Sequence, residues 1–335
     1  MRVPFETMKA EIKRVLLKAG MTEGKADACA RVHTESSRDG VYSHGLNRVA
    51  RFVDHIQKGW VDVNAEPSLI KQSGMFENYD GNLGPGVLNA LFSINRATEV
   101  AKEQGIGIVA LRNTNHWMRG GTYAWEAAEK GYIGICWTNT ESCMPAWGAK
   151  NTCLGNNPLC IAIPREKGPI VLDMAMSQYS NGKLQVTRLK NESLPFPGGF
   201  DKEGNLTSNP GLIEESQRPL PAGYWKGSGL AMVLDLVVAI LSNGLATAGI
   251  DKLSKGGSCV GCSQIFIAIN PYLAGGKEFV ERTLNETIAQ IKSAEPVKEG
   301  GAIYFPGELA AKTRKENTEQ GIPVDEGIWN ELLRL

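Results

Sequence analysis

The sequence predicts a three-layer α/β domain, built around a mixed or parallel sheet and preceded by a helical subdomain. The first sixty residues carry only helical periodicity. From about residue 88, amphipathic helices alternate with short, almost continuously apolar strands, which is the pattern of a sheet covered on both faces. The chain has 335 residues, 42% of them hydrophobic and 21% charged, so it is long and apolar enough to bury such a core.

The N-terminal subdomain is predicted from the spacing of its apolar residues. A first helix, ended by Gly20, would bury one face made of Phe5, Met8, Ile12, Val15 and Leu16. Thr22 is the expected N-cap of a second helix that runs to about Ser37. A third helix is expected from about Gly45 to Gly59, with its inward face made of Val49, Phe52, Val53 and Ile56.

The central part supplies the predicted sheet. Its expected strands are IGIVALRN, YIGICWTN, NPLCIAIP, PIVLDMA and QIFIAI, and its expected helices are 88–105, TYAWEAAEKG with Thr122 as cap, and 229–243. Residues 176–223 are rich in Pro, Gly and polar residues, which predicts a long functional loop. Helices are also expected over 278–293, after Pro306 and after Pro323.

This pattern divides the chain into three parts. They are an N-terminal helical subdomain over 1–75, which is expected to pack with the C-terminal segment, a central α/β domain over 76–270 and a C-terminal helical segment over 271–335.

Charge, hydropathy and cysteine usage exclude several classes of protein. Lys+Arg and Asp+Glu number 36 each, so there is no electrostatic case for nucleic acid or a membrane surface as partner. The most apolar stretch, 229–244, is short for a membrane span and contains Asp235, which favours a buried helix. Without an apolar leader, the expected location is the cytoplasm. Seven cysteines then indicate reduced thiols, and Cys259 and Cys262 lack the second ligand pair of a zinc site and the context of a redox dithiol.

Glycine-rich nucleotide motifs do not explain the chain. GIGIVA over 105–110 fits GxGxxA, but the dinucleotide fingerprint requires a strand before the glycines and a helix after them. Here a helix precedes and a strand follows, so Gly105 is better explained as a helix C-cap.

The stretch DGVYSHGLNR over 39–48 is the first candidate for chemistry. A helix starting at Gly45 would set His44 and Arg48 about one turn apart on one side. Arg offers a fork matched to a carboxylate, and His gives or takes a proton near neutral pH, which suits reduction of a keto acid. The alternative is a loop histidine bonded to nearby backbone.

A second candidate loop, NTNHWMRGG over 113–121, follows a buried strand. His116 lies there, and Arg119 and two glycines would let a ligand approach. His33 and His55 lie within helical patterns and are expected to be structural or solvated.

Three further positions are candidates that also have a structural explanation. Asp173 ends a strand, where it would cap a helix, bind a ribose hydroxyl or orient a histidine. Lys226 lies in a glycine-rich turn before a helix, where it would favour an anion or simply be solvated. Glu308 opens a helix, and capping alone would explain it.

Taken together, these segments resemble the malate/L-lactate dehydrogenase family that lacks a Rossmann fold, also called sulfolactate-dehydrogenase-like. The pieces that carry the resemblance occur in order across the chain: SHGLNR, NTNHWMRGGTYAWEAAEKGYIGICWTN, LGNNPLCIAIP, VLDMAMS, YWKGSGLAMVLD and PGE with GIPV. The fold implied is a mixed-sheet α/β domain of that type with a helical region, and with an unusual dinucleotide site between domains.

The activity implied is that of the branch that reduces 2,3-diketo-L-gulonate to 3-keto-L-gulonate as a cytoplasmic homodimer with NADH, NADPH being the alternative. In the family the histidine of SHGxxR is the proton donor, here His44. Beside it, Arg48 is expected to hold the substrate carboxylate and polarise the carbonyl, and His116 to bind or orient the substrate or the nicotinamide. The cofactor contacts implied are Pro169, Ile170, Val171, Leu172, Asp173, Met174, Ala175, Trp225, Lys226, Gly307, Glu308 and Leu309. The chain departs from residues common in the family at Asn156, Met176, Ser228 and Ala310.

Two other functions stay open. The substrate could be another 2-oxo or 2-hydroxy acid, such as malate, lactate or ureidoglycolate. A non-catalytic sugar-acid binder on the same scaffold is the second, although simple binding needs no proton donor such as His44.

Overall fold

The computed structural model describes residues 1–253 and 257–335. Its helices are α1 (Phe5–Lys18), α2 (Glu23–Arg38), α3 (Val49–Gln57), α4 (Gly86–Gln104), α5 (Gly121–Glu129), α6 (Asn181–Leu189), α7 (Pro210–Ser216), α8 (Trp225–Ser242), α9 (Thr247–Leu253), α10 (Gly276–Lys292), α11 (Glu308–Gln320) and α12 (Glu326–Arg334). Its strands are β1 (Arg2–Val3), β2 (Ser68–Ser73), β3 (Phe76–Asp80), β4 (Ile106–Thr114), β5 (Ile133–Thr138), β6 (Met144–Pro145), β7 (Thr152–Leu154), β8 (Leu159–Ile163), β9 (Ile170–Met174), β10 (Gly199–Phe200), β11 (Leu206–Thr207), β12 (Cys262–Ile269) and β13 (Ile322–Pro323).

Seven strands form the central sheet, in the order β2-β3-β4-β12-β5-β8-β9. Only β3 and β4 pair in parallel, and every other pair in this sheet is antiparallel. The late strand β12 lies between β4 and β5, so the last third of the chain completes the middle of the sheet. The sheet is therefore mixed, as one of the two sequence alternatives predicts.

Alternate side chains of the central strands enter two separate cores. Val109 and Phe266 pack in one core with residues of α4 and α5, whereas their neighbours Ala110 and Ile265 pack in the other with residues of α8. Successive side chains of a strand point to opposite faces, so α4 and α5 cover one face of the sheet and α8 the other. The predicted three-layer architecture is confirmed.

The N-terminal helices bury the residues that their periodicity selects. Met8, Ile12, Val15 and Leu16 are the buried residues of α1, and Gly20 follows that helix with φ 97°. Thr22 precedes α2, although its side chain makes no capping hydrogen bond. These helices contact the C-terminal ones, α1 with α12 and α2 with α11, and β1 pairs with β13.

The predictions for 176–223 and for Thr122 are wrong. Residues 176–223 are not a loop: they contain α6, α7 and the pair β10–β11, around a small core of Leu184, Leu194 and Ile213, too few apolar residues to produce a long periodic signal. Thr122 does not cap α5, because Gly120 holds the N-cap position. The prediction for Gly105 is confirmed, since it ends α4 in a left-handed conformation with φ 83°.

Helix α8 is only partly buried, which corrects the buried helix expected over 229–244. By length and composition it is the one helix, within 1–253 and 257–335, that is long and apolar enough to cross a membrane, and 39% of it is buried inside the protein. A core helix of a globular protein meets the same test. The outward face is apolar, and its exposed residues are Leu230, Met232, Val233, Leu236, Ile240 and Leu241.

Candidate active site

The stretch DGVYSHGLNR turns twice in succession. Tyr42–His44 and Leu46–Arg48 form two 3-10 turns that are separated by Gly45, whose ψ is −126°. A Cβ on Gly45 would lie 2.1 Å from the Ser37 hydroxyl oxygen, so only glycine allows this approach. The helix expected from Gly45 is therefore wrong at its start, and α3 begins at Val49.

His44 nevertheless lies among the predicted partners. Its ring stacks on that of His116, with centroids 5.7 Å apart and planes 20° apart, and its Nδ1 lies 2.9 Å from the Ser43 hydroxyl. Burial lowers the pKa of His44 to about 4, the charge of Arg48 acts in the same direction, and the carboxylate of Asp173 opposes both. The imidazole of the free protein is therefore neutral at pH 7.

His116 follows β4 in the second predicted loop. The backbone N–H of Met118, whose φ is 66°, donates to His116 Nδ1 over 3.0 Å. That hydrogen bond requires an unprotonated Nδ1, so the neutral ring carries its proton on Nε2. Burial, together with the charges of Arg48, His44 and others nearby, lowers the pKa of His116 well below its ordinary value.

A buried acid joins these two loops, and sequence reasoning missed it. Asp39 Oδ2 accepts from Arg119 over 2.6 Å and from Arg314 of α11 over 2.7 Å, while Arg38 contacts its other oxygen at 3.0 Å. Burial alone would raise the pKa of Asp39, but the hydrogen bond from Arg314 and the charges of the three arginines lower it. Arg119 is thus a buried structural partner, although its sequence position predicted contact with a ligand.

The sequence gives one indication that Asp39 supports the site: it is the first residue of the stretch 39–48, which contains His44. The Arg314 guanidinium also stacks 3.9 Å from the Trp125 ring centroid, so the C-terminal helix α11 is part of the support.

The predicted cofactor strand β9 lies beside this network. Asp173 Oδ2 is 3.5 Å from Arg119 Nε, and the Cys160 thiol donates to Asp173 Oδ1 over 3.2 Å. A Cβ on Gly121, the first residue of α5, would lie 2.5 Å from Asp173 Oδ2. Of the three roles that Asp173 kept open, this geometry favours an acid at a helix N-terminus whose charge also acts on His44.

The turn before α11 contacts the same strand. The Val171 N–H donates to the Pro306 carbonyl over 3.0 Å, and a Cβ on Gly307, whose φ is 88°, would lie 2.9 Å from Val171 N. Glu308 accepts from Lys292 over 2.6 Å and 2.5 Å and from its local backbone at Phe305 over 3.2 Å. Glu308 therefore closes its own turn, as the capping explanation predicts.

Trp225 and Lys226 begin α8 at the far end of β9. The Ala222 N–H donates to the carbonyl of Met176 over 2.8 Å, which fixes the turn before the helix against the residues that follow β9. The Trp225 side chain is 64% exposed, and Lys226 is exposed as well. No described contact joins Trp225 or Lys226 to His44, so these two lie at the margin of the group.

His116 also lines a narrow cleft. The polar lining of this cleft is made of Arg48, Arg51, His55, Asn115 and His116. Sequence reasoning missed His55 as a lining residue and expected it to be structural or solvated. The other histidine of that expectation, His33, is fully buried and its Nδ1 lies 2.8 Å from the carbonyl of Cys29.

Cys259 and Cys262 are free, buried thiols. The Cys259 thiol donates to a carboxylate oxygen of Glu141 over 3.5 Å, and the Cys262 thiol donates to the Cys259 carbonyl over 3.1 Å. The neighbouring thiol and burial raise the pKa of Cys262 well above its ordinary value, so Cys262 is protonated at neutral pH.

Comparison with known proteins assigns the chain to a family. The family described as malate/L-lactate dehydrogenase matches residues 3–333. Proteins named 2,3-diketo-L-gulonate reductase from Citrobacter koseri, Escherichia coli and Pasteurella multocida are 45% identical over 336 residues, covering 100% of this chain and of each relative.

Solved structures agree with this assignment. Sulfolactate dehydrogenase from Methanocaldococcus jannaschii is 32% identical with a TM-score of 0.89, covering 99% of this chain and 95% of that one. Malate dehydrogenase from Entamoeba histolytica is 26% identical with a TM-score of 0.93, covering 100% of this chain and 96% of that one. The chain belongs to the malate/L-lactate dehydrogenase family and is an oxidoreductase acting on CH–OH groups.

Proposed function

We propose that this protein reduces 2,3-diketo-L-gulonate to 3-keto-L-gulonate with NADH. Full-length relatives that carry the name of this reductase, at 45% identity, support the substrate. The observation that carries the chemistry is the stacked pair of His44 and His116, with the Arg48 charge close enough to lower the pKa of both rings.

The residues around β9 fit a nicotinamide cofactor. Gly307 lies so close to Val171 that a side chain there would clash, which leaves a turn with bare backbone beside the strand. Lys226 and the N-terminus of α8 offer positive charge for a pyrophosphate, and the exposed Trp225 ring offers a flat apolar surface. When bound, the cofactor supplies the hydride; NADH is the proposed form and NADPH the alternative.

Each polar group of the site then has one task. Arg48 makes no ion pair among the described residues, so its guanidinium is available to the substrate carboxylate in a bidentate pair. His44 gives the proton from Nε2 to the oxygen of the 2-carbonyl group, while Ser43 holds Nδ1. His116, with its proton on Nε2, donates a hydrogen bond to the neighbouring carbonyl oxygen. The reduced carbon gains hydride, the oxygen gains the proton, and His44 is reprotonated from solvent.

The low pKa of His44 fits this sequence of events. Burial lowers the pKa of His44 most, and the Arg48 cation is the second cause. A carboxylate bound to Arg48 neutralises that cation. Substrate binding therefore raises the pKa of His44 and loads the proton donor only when there is a carbonyl to reduce.

The test is NADH oxidation with a set of 2-oxo acids. We expect 2,3-diketo-L-gulonate to have a higher kcat/KM than oxaloacetate and pyruvate, and His44→Ala to lower kcat by roughly 10²–10⁴-fold while NADH still binds. Asn47→Ala, at an exposed position in the same stretch, is the matched control and should keep wild-type kcat. Faster turnover of another acid would move the assignment to that acid, and full activity of His44→Ala would remove His44 as donor. Binding of the sugar acid without any NADH oxidation would favour the non-catalytic alternative.

We also propose that the protein acts as a cytoplasmic homodimer. The outward face of α8 carries three exposed residues in particular, Met232, Val233 and Ile240, which are 54%, 53% and 74% exposed. A contiguous apolar face of this kind marks an interaction surface, and a second copy of the chain would cover it with the same face. Seven free cysteines support a reducing compartment.

A further inference from the structure

One side of α3 faces the cleft along its whole length. Arg48 at its N-cap, then Arg51 and His55, all line the cleft. At a rise of about 1.5 Å per residue, Arg48 and His55 lie about 10 Å apart along the helix axis. The polar lining of the cleft therefore continues along α3 beyond Arg48, as far as His55.

Asn115 lines the cleft and has an unused, buried hydrogen-bond acceptor. Asn115 is 3% exposed, and its side-chain NH2 donates to the carbonyls of Leu83 over 2.8 Å and Gly84 over 3.1 Å. Its Oδ1 is buried without a hydrogen-bond partner among the described residues. A buried carbonyl oxygen left without a donor destabilises the fold, so Oδ1 is suited to a ligand group that donates a hydrogen bond.

Of the other polar groups in this part of the cleft, Arg51 only donates, whereas His55 both donates and accepts. Arg51 uses one N–H on the Gly257 carbonyl, over 2.7 Å, and keeps further donors of its guanidinium for a ligand. Burial, then the Arg51 charge, lowers the pKa of His55, so its neutral ring offers one donor and one acceptor. Phe52, Val61 and Met118 supply the apolar wall between them.

This combination distinguishes hydroxyl groups from a second carboxylate. A hydroxyl donates one hydrogen bond and accepts others, whereas an ionised carboxylate only accepts. Asn115 Oδ1 needs a donor and would repel a carboxylate, while Arg51 would bind either. We infer that Arg51, His55 and Asn115 form a subsite for the hydroxylated chain of the substrate and select sugar acids over short or plain 2-oxo acids. This inference rests on the proposed function for the identity of the substrate.

Binding of two unreactive acids of equal length tests the subsite apart from turnover. With saturating NADH, which neither acid can oxidise, the protein is titrated with L-gulonate and with hexanoate, and the shift in Tm gives each affinity. We expect wild type to bind L-gulonate at least roughly tenfold more tightly than hexanoate. Hexanoate has no hydroxyl groups and loses hydrogen bonds to charged or buried partners, and such a loss lowers affinity by about this factor. His55→Ala and Arg51→Ala should each reduce that preference, while Arg282→Ala on the exposed α10 should keep it. Because Arg51 holds Gly257, Arg51→Lys, which keeps a donor for that carbonyl, is measured beside it.

Turnover provides the second readout. The ratio of kcat/KM for 2,3-diketo-L-gulonate to that for 2-oxohexanoate should fall roughly tenfold to a hundredfold in His55→Ala and Arg51→Ala. Unchanged ratios and an unchanged binding preference in both variants would overturn the subsite while leaving the proposed reaction intact. A wild type that fails to reduce the diketo acid, yet prefers L-gulonate through Arg51 and His55, would overturn the proposed substrate and support the subsite.

Discussion

The carboxylate of Asp39 and the guanidinium of Arg119 lie 2.6 Å apart, with side chains only 1% and 4% exposed. This pair joins the stretch that carries His44 to the loop that carries His116, although the two partners are 80 positions apart in the chain. The stacking of the two histidine rings therefore depends on an ion pair that does not touch either ring.

Replacement of Asp39 should destabilise the fold strongly. Asp39→Asn leaves the buried Arg119 without its counter-charge, and removal of one partner from a buried pair costs about 3–5 kcal/mol. Urea unfolding at pH 7, extrapolated to water, measures this difference.

The matched control is Glu129→Gln. Glu129 pairs with Arg314 at 3.4 Å and its side chain is 55% exposed, so its loss should change the free energy of unfolding by less than about 1 kcal/mol. If Asp39→Asn changes the free energy of unfolding as little as Glu129→Gln does, the network does not hold the two loops together.

The sequence predicts the candidate reactive residues better than the network that supports them. His44 and His116 each lie in a loop with a polar or glycine-rich context that predicts chemistry, and the structure stacks their rings. Asp39 looks like a turn residue, because its partner Arg314 is 275 positions away and no local periodicity records such a contact.

The same limit explains the errors in the fold. The alternating helices and strands predict three layers, but only long-range pairing puts β12 between β4 and β5. The helix expected from Gly45 failed because the contact that interrupts it, with Ser37, comes from the preceding helix. His55 was missed because a helical pattern does not tell which polar residues face a cleft.

Removal of the Arg48 charge should raise the pKa of His44 in the free protein. Burial and the Arg48 cation both lower this pKa, to about 4, and Arg48→Gln leaves only the first of these two effects. An NMR titration of the His44 ring, without substrate, measures the change directly. Gluconate added to wild type should shift the pKa in the same direction, since its carboxylate neutralises Arg48.

Asn47→Gln, an exposed neighbour, serves as the control and should leave the His44 titration where it is. An unaltered pKa in Arg48→Gln would mean that desolvation alone sets it, and the proposed loading of the proton donor by substrate would lose its basis.

Burial of His33 should make stability depend on pH. Burial lowers the pKa of His33 to about 4 from an ordinary value of 6.5, so between these values the unfolded chain binds the proton more tightly than the folded one. The stability that the neutral His33 contributes to the fold is therefore fully present above pH 6.5 and is lost as the pH falls toward about 4. His33→Leu removes one proton from the difference in proton binding between the unfolded and folded chains. It should therefore reduce the slope of the unfolding free energy against pH in this window by about 1.4 kcal/mol per pH unit.

Leu16→Ala gives the comparison for this experiment, because it truncates a fully buried side chain without removing a titrating group. It should lower the free energy of unfolding by about 2–5 kcal/mol at every pH and keep the wild-type slope. A His33→Leu slope equal to that of Leu16→Ala would show that His33 is not neutral in the folded protein.

The apolar face of α8 should mediate self-association. Ile240 is 74% exposed, and a charge at the centre of an apolar interface leaves an unpaired ion buried when the interface forms. Ile240→Asp should therefore convert a dimer to a monomer, measured as a halving of molar mass by light scattering after size-exclusion chromatography. Val297→Asp is the matched control, since Val297 is equally apolar and fully exposed but lies outside α8; it should stay dimeric. A monomeric wild type would contradict the proposed dimer, and a dimeric Ile240→Asp would move the interface to another surface.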